Sequence, residues 1–483
     1  MKSVAVTSIV SAGALALAGC VDNTVVAPAT SRAPSFALSS SPPTGGATGR
    51  YIVSFNGSPP ATFSGQVVAL GGTVQWISRE SGLAVVRGLS SAAAAALATS
   101  PRIQQVEADE LVPLDVPQIS VADAAVAAGV VSNADPTTAA RYARQWNMRA
   151  VQADAAWAHG FLGSSSVSVF MLDTGIDYLH ADLVGRVDLG RSVDLLGTFT
   201  LNGVPFTERD TVTKYFPTRL PITDLYFHGT HTGATVSSNA VRAAGVTSGT
   251  TLVAVKVCAY LDGCPFSSIL NGVIYAADNG ADVMNLSLGG SFPKAGNGRF
   301  VGFVNKVFNY AQSKGVTIVV SAGNDAADLD HDGNSYASFC ATPAVICVAA
   351  TGPTAQASVD GPWTDVDAPS YFTNFGRSAI SVAAPGGNNA SFVWAACSQT
   401  VLAFPSLAGC RTAPIFIVGA QGTSMSAPHV SGTAALLVSI LGRNPGQIKA
   451  RIQQSADNVG GNGTTPFYGK GRVNVARAVG AIP

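Results

Sequence analysis

The sequence predicts an α/β fold, a three-layer arrangement with a mainly parallel central sheet and helices on both faces, preceded by a small α+β domain. Three observations carry that prediction. Between Val167 and Ala350, short apolar runs alternate with helical patterns, as strands buried on both faces and joined by crossover helices do. Residues 51–109 hold four short strand-like runs around one Ala-rich helix former. With 483 residues, 47% of them hydrophobic, the chain can build one large core and a smaller one.

In chain order, Met1-Lys2-Ser3 and the apolar run Val4 to Leu17 have the charge, length and small-residue ending of an export signal. The run is too short for an ordinary membrane span. Its exit, Leu17-Ala18-Gly19-Cys20, resembles a bacterial lipobox, in which the cysteine is lipidated; the alternative is a cleaved secretion peptide with an incidental Cys20. Residues 21–47, rich in Ser, Pro, Thr and Ala, read as a flexible tether. A packed unit over 48–114 follows. Tyr51 to Phe55, Val74 to Ile77, Leu83 to Val86 and Ile103 to Asp109 are its strands, and Ser90 caps a helix to Ala98. The pattern dissolves over 115–143, a protease-accessible linker.

Structure returns over 144–483. Val167 to Leu172 is a strong strand ending in Asp173-Thr174-Gly175; Leu252 to Val257, Val283 to Leu288, Val316 to Ser321 and Val345 to Ala350 are further strands. Helices are expected from Phe266 to Asn279, Gly302 to Lys314, from Ser424 onward and from Asn444-Pro445 to Ser455. The apolar run after His429 ends at Gly442 after about a dozen residues, too short to span a membrane.

Charge excludes one class of partner. Lys and Arg balance Asp and Glu at 28 each, and no basic cluster exists to neutralise a nucleic-acid backbone. Cysteine usage points outward: besides Cys20, the six cysteines fall into neighbour pairs, Cys258 and Cys264, Cys340 and Cys347, Cys397 and Cys410. Local disulfides in an oxidising compartment are the expected reading, although six cysteines formally allow fifteen pairings. Metal binding is the weaker alternative, because no C-x-x-C pair occurs.

Three motifs carry chemistry. Asp173 ends an apolar strand, where open α/β sheets place their sites. His228-Gly229-Thr230-His231 opens a helix; without H-E-x-x-H a zinc-protease reading has no support, and His231 reads as structural. Gly422-Thr423-Ser424-Met425-Ser426-Ala427-Pro428 puts a serine on the first turn of a long helix, where unpaired N–H groups face outward. A helix-capping role is the bland alternative for that serine.

In the order Asp, His, Ser, these motifs resemble the subtilisin family (subtilases) of serine endopeptidases, over residues 145 to about 480, and residues 50–112 resemble the inhibitor-like propeptide of such enzymes. The resemblance implies Ser424 as nucleophile, His228 as general base, Asp173 as its orienting partner and Asn324 as an oxyanion donor. It also implies Ser287-Leu288-Gly289-Gly290 and Ala322-Gly323 as the two walls that pair with substrate, both small and uncharged, hence an apolar or tolerant preference. The propeptide would act as intramolecular chaperone and inhibitor, with self-cleavage somewhere from Asp115 to Ala143, and the enzyme is expected to be a monomer acting on proteins or peptides. The finished enzyme would be either a lipoprotein of a bacterial cell envelope or secreted. No cofactor is required for the chemistry. A structural calcium ion could use the oxygens of Asp325, Asp328, Asp330 and Asp332, with a hydrophilic loop as the equal alternative. An insertion, Thr198 to Leu225, either shapes access of substrate or decorates the surface. An ester hydrolase would want G-x-S-x-G at the nucleophile. A same-fold peptidyl transferase or cyclase, or a binding scaffold, remains as the other reading, although a dead scaffold would lack a triad member and none is missing.

Overall fold

The structure, a computed structural model, describes residues 48–114, 116, 118–120, 123–124, 135–261, 263–289, 291–293, 298–333, 335–337, 339–389 and 391–483. The export signal, Cys20, the 21–47 tether and Gly290 lie outside these residues.

The N-terminal segment comprises β1 (Arg50–Phe55), α1 (Phe63–Ala69), β2 (Thr73–Ser78), β3 (Leu83–Arg87), α2 (Ser91–Ala98) and β4 (Ile103–Ala108), with an antiparallel sheet of order β2-β3-β1-β4. Strand alternation sorts its side chains. Tyr51, Val53, Phe55, Ala84 and Val86 pack with Phe63 and Val67 of α1 and with Ala94 and Leu97 of α2. Ile52, Leu83 and Val85, on the other face, enter the core of the larger domain. Ser90 caps α2 by accepting the Ala93 N–H. The helix α1 was not expected: Gly65 and the paired Val67 and Val68 weaken its propensity, and burial of Phe63 and Val67 makes up for it.

After β4 the 48–114 unit ends with β5 (Leu111–Val112), and the linker departs from expectation, because it carries β6 (Gln118–Ile119) and β7 (Asp123–Ala124). These two-residue strands are too short to leave a periodic signal, and they form by adding to edges that already exist. The Asp123 carboxylate pairs with Arg141 and Arg144.

The larger domain begins with α3 (Trp146–Ala150), α4 (Ala153–Ala158) and β8 (Ser168–Asp173), then β9 (Val193–Asp194), the hairpin β10 (Phe199–Leu201) and β11 (Val204–Phe206), α5 (Glu208–Tyr215) and α6 (His228–Val236). It continues through β12 (Thr251–Lys256), β13 (Cys264–Pro265), α7 (Phe266–Asp278), β14 (Val283–Leu286), β15 (Ser291–Pro293), α8 (Gly298–Ser313), β16 (Thr317–Ser321), β17 (Ser335–Ala337) and β18 (Val345–Thr351). The short β19 (Ala355–Gln356) and β20 (Trp363–Thr364) precede β21 (Val382–Pro385), β22 (Val393–Ala396), β23 (Phe416–Gln421), α9 (Thr423–Leu441), α10 (Pro445–Gln454) and α11 (Val475–Val479).

Seven strands form the central parallel sheet, in the order β21-β18-β16-β14-β8-β12-β9. Alternate residues of each strand feed opposite cores. Phe170 and Leu172 of β8 face Ile269, Val273 and Val304 of α7 and α8, whereas Val169 and Met171 face Val430, Ala434 and Leu437 of α9. From β8 the chain moves one way to β12 and then the other way to β14. Such a reversal opens a crevice at the carboxyl ends of the strands, and Asp173 ends β8 there.

Disulfides join Cys258 to Cys264, Cys340 to Cys347 and Cys397 to Cys410, with Cα separations of 4.0, 5.2 and 5.9 Å. The insertion is anchored rather than loose: Glu208 of α5 and Lys256 of β12 are both buried and form an ion pair at 2.6 Å. Among the described residues α9 is the one helix long and apolar enough to cross a membrane, but Thr423 to Val438 are all buried within the domain.

Candidate active site

Asp173, fully buried, uses both carboxylate oxygens. Oδ1 meets His228 Nδ1 at 2.7 Å and accepts the Thr174 N–H at 2.7 Å, and Oδ2 accepts the Thr232 hydroxyl at 3.0 Å. This contact requires α6 to begin hard against the turn after β8. A Cβ on Gly229 would fall 2.1 Å from the Gly175 carbonyl oxygen, and one on Gly175, at φ +107°, would fall 2.3 Å from the Ile222 oxygen. Glycine at both positions is therefore the condition for bringing acid and imidazole together.

Sequence reasoning missed the residue that holds this corner, Asp224. Its Oδ1 accepts the Thr174 hydroxyl and the N–H groups of Tyr226 and Phe227; its Oδ2 accepts the N–H and hydroxyl of Thr230. A carboxylate at the N-terminal end of α6 suits the helix dipole. It also secures Phe227, whose φ of +112° is unusual for a bulky residue. The available signal was an acidic residue four positions ahead of a helix-opening histidine.

Ser424 is the second residue of α9 and 4% exposed. Its hydroxyl donates to the Ser287 carbonyl oxygen at 3.0 Å, and His228 Nε2 has no hydrogen-bond partner among the described residues. The structure thus brings Asp173 and His228 into direct contact and leaves the serine hydroxyl on a neighbouring acceptor. The Ser424 carbonyl oxygen in turn accepts the Ser287 hydroxyl at 2.7 Å. The cause is Pro428: the helical partner of that carbonyl would be the N–H of residue 428, which proline lacks. A side chain from the end of β14 takes its place.

Asn324 follows β16 and Gly323. Its Oδ1 accepts both the N–H and the hydroxyl of Thr423 at 2.9 Å, which fixes the amide plane beside Ser424 with nitrogen directed away from Thr423. Ser287, Leu288 and Gly289 extend beyond β14, Ala322 and Gly323 beyond β16, so the two expected walls leave adjacent strands at the same edge. The Ser321 hydroxyl donates to the Leu288 oxygen and the Gly323 N–H to the Thr423 hydroxyl.

The other histidines of these motifs are buried elsewhere. His231 Nε2 lies 3.0 Å from the Val393 oxygen and His429 Nε2 lies 2.9 Å from Asn147 Nδ2; burial pushes their pKa down to about 3 and about 4. Two carboxylates of the acidic stretch are hydrogen-bonded to protein groups. Asp330 accepts the Ser378 N–H and hydroxyl and the Ala379 N–H, and Asp328 meets His331 at 2.9 Å. Among the described residues no group of three or more His, Cys, Asp or Glu side chains is assembled to hold a metal. No step below uses a cation.

The chain is similar to known proteins over most of its length. The subtilase family matches residues 164–471. The chain is 30% identical over 339 residues to thermitase of Thermoactinomyces vulgaris, covering 70% of this chain and 96% of that protein. It is 32% identical over 320 residues to a thermophilic serine proteinase of Bacillus sp. strain AK1, covering 66% of this chain and 62% of that protein's length. Two solved structures share the fold at 21% identity. The epidermin leader peptide processing serine protease of Staphylococcus aureus has a TM-score of 0.66, over 89% of this chain and 97% of that one. Fervidolysin of Fervidobacterium pennivorans has a TM-score of 0.63, over 90% of this chain and 61% of that one. A parallel sheet with an Asp–His contact at its crevice, and a serine opening the adjacent buried helix, thus occur in a chain that belongs to the subtilase family of serine endopeptidases.

Proposed function

We propose that this protein hydrolyses peptide bonds through Asp173, His228 and Ser424 by way of an acyl-enzyme. The observation that carries the reading is the 2.7 Å contact between Asp173 and His228, with Ser424 held at the mouth of α9. A serine hydroxyl is a weak nucleophile at neutral pH, so His228 Nε2 takes its proton as it attacks the carbonyl and returns it to the departing amine. For that, the Ser424 hydroxyl turns from the Ser287 oxygen to the imidazole, a rotation about one side-chain bond. Asp173 keeps the proton on Nδ1 in the resting state and stabilises the imidazolium that follows. Water then repeats the sequence on the ester.

The oxyanion receives the Asn324 amide N–H and the Ser424 backbone N–H at the start of α9. Extended substrate lies between the 287–289 and 322–323 walls, whose small uncharged residues favour an apolar or tolerant choice before the cut. The chemistry draws on protein groups alone.

Residues 48–114 act as a propeptide in an exported precursor, a reading supported by the three disulfides. Two pairings support self-cleavage. β5 runs antiparallel to β13, and β6 pairs Gln118 with Gln421, three residues before Ser424. We place the bond cut in the stretch from Asp115 to Ala143. Lipidation of Cys20 would tether the precursor, and the cut would free the enzyme as a monomer.

The test compares the full chain with its Ser424→Ala variant. The parent digests casein, reacts with a fluorophosphonate and shortens to a mature species, while the variant remains full length and inert; equal activity of the two refutes the assignment. Asn324→Ala should still react with the fluorophosphonate but lose about 3 kcal/mol of transition-state stabilisation, read as kcat with KM little changed.

A further inference from the structure

The insertion after β9 meets the N-terminal segment at one unusual side chain. Arg50 of β1 is 2% exposed, and among the described residues every hydrogen-bond acceptor of its guanidinium is a neutral oxygen. Nε and Nη2 donate to the Thr198 carbonyl at 3.1 and 2.9 Å, and Nη2 also donates to the Leu196 carbonyl. Nη1 donates to the hydroxyls of Ser267 and Ser268, on the first turn of α7, at 3.3 and 3.1 Å. The guanidinium lies over the Phe199 ring, 5.4 Å from its centroid. An arginine so enclosed is costly unless its donors are met, and here the fork meets carbonyls on one side and hydroxyls on the other. Burial lowers its pKa to about 10, with Asp109 opposing the shift.

The surroundings belong to the same contact. The Thr200 N–H donates to the Thr48 oxygen at 2.7 Å, and Gln75 of β2 donates to the Thr198 oxygen at 2.9 Å. Leu111 packs against Leu196, Phe199 and Ala259. The receiving surface is rigid from behind, since the Leu195 N–H donates to the Lys256 oxygen and Glu208 is paired with Lys256.

We propose that residues 194–208 are a docking surface for this chain's own N-terminal α+β segment, and that the guanidinium of Arg50 is the group this surface recognises. This part of the insertion then does more than decorate the surface. It holds the segment in place along β1 and beside β5, and so governs its release. The inference deepens the precursor reading, but its test does not require self-cleavage: failure of the triad reading would appear as a parent chain that stays full length, whereas the docking is read in a chain that cannot cut itself.

The experiment is hydrogen exchange on the full chain carrying Ser424→Ala, with and without Arg50→Ala or Arg50→Lys. In the Arg50→Ala chain, amides of β1, β4 and the β10–β11 hairpin should exchange on the order of 100-fold faster, while β8, β14, β16 and α9 keep their rates. Arg50→Lys, which retains charge without the fork, should lose protection at the same amides. Unchanged exchange in β1 and the hairpin overturns the docking, and a lysine variant that behaves as the parent overturns recognition of the guanidinium. Should Arg50→Ala also open the central sheet, Phe199→Ala reads the contact from the other side; it should speed exchange in β1 with the sheet intact, and unchanged β1 exchange overturns the proposal.

Discussion

Ser287→Ala tests how the nucleophile is held. The Ser287 hydroxyl donates to the Ser424 carbonyl at 2.7 Å and accepts from Asn285 Nδ2 at 3.0 Å. Removing it strands a buried carbonyl that Pro428 cannot serve, at a cost of about 1–3 kcal/mol. It also frees the first turn of α9 to shift, so kcat should fall with stability. If the missing N–H is the reason for the serine, Pro428→Ala should restore a donor to that carbonyl and recover about 1 kcal/mol in the Ser287→Ala background. The intrinsic gain from removing a helical proline is common to both backgrounds and cancels in the double-mutant cycle. The assay is urea unfolding of the four chains in a Ser424→Ala background, with kcat measured in parallel when Ser424 is present. A coupling of about 1 kcal/mol is expected. Additivity within about 0.3 kcal/mol would refute the exchange of partners described here.

Lys256→Met leaves Glu208 buried without its cation and should cost about 3–5 kcal/mol by denaturant unfolding, whereas Lys256→Met with Glu208→Leu should recover most of it. An unaltered single variant would show that Glu208 takes up a proton at little cost. Acid should also weaken the fold through its buried imidazoles. The folded pKa values of His429 and His231 lie below the usual 6.5, at about 4 and about 3, because burial disfavours the charged ring. The unfolded chain therefore binds protons that the folded chain refuses. Their contribution is fully present above pH 6.5 and is lost as pH falls toward 4, at up to about 1.4 kcal/mol per pH unit for each ring. The stability difference between the Ser424→Ala chain and the same chain with His429→Gln isolates one ring. It also removes the opposing effect of Asp109, Asp182 and Glu208, whose pKa burial raises. A difference constant from pH 7.5 to 5 would contradict this account.

Local sequence carried the site motifs because each needs a particular residue in a particular backbone setting: an acid ending a buried strand, glycine where helix and turn touch, a serine opening a helix. The central strands were legible for a related reason, since burial on both faces leaves nearly continuous apolar runs. What stayed hidden depends on partners distant in sequence. The short strands β5, β6 and β7 exist only because β13 and β23 offer edges. The pairing of Lys256 with Glu208 and the gathering of five donors by Asp224 depend on tertiary proximity, and composition marks these residues merely as charged. The contacts of Asp330 with Ser378 and Ala379 likewise join an acidic run to a segment distant in sequence.

The burial of α9 bears on how long such an enzyme lasts among copies of itself. A protease is threatened by any segment that frays into an extended strand another active site can grip. The helix launched by Ser424 has no exposed side chain from Thr423 to Val438 and crosses the middle of the domain. It cannot peel away alone, because its opening would uncover the core beneath the central sheet. Disruption of the nucleophile is thereby tied to the slowest event available to the molecule, global unfolding, so the lifetime of activity should track the unfolding rate rather than the mobility of surface loops.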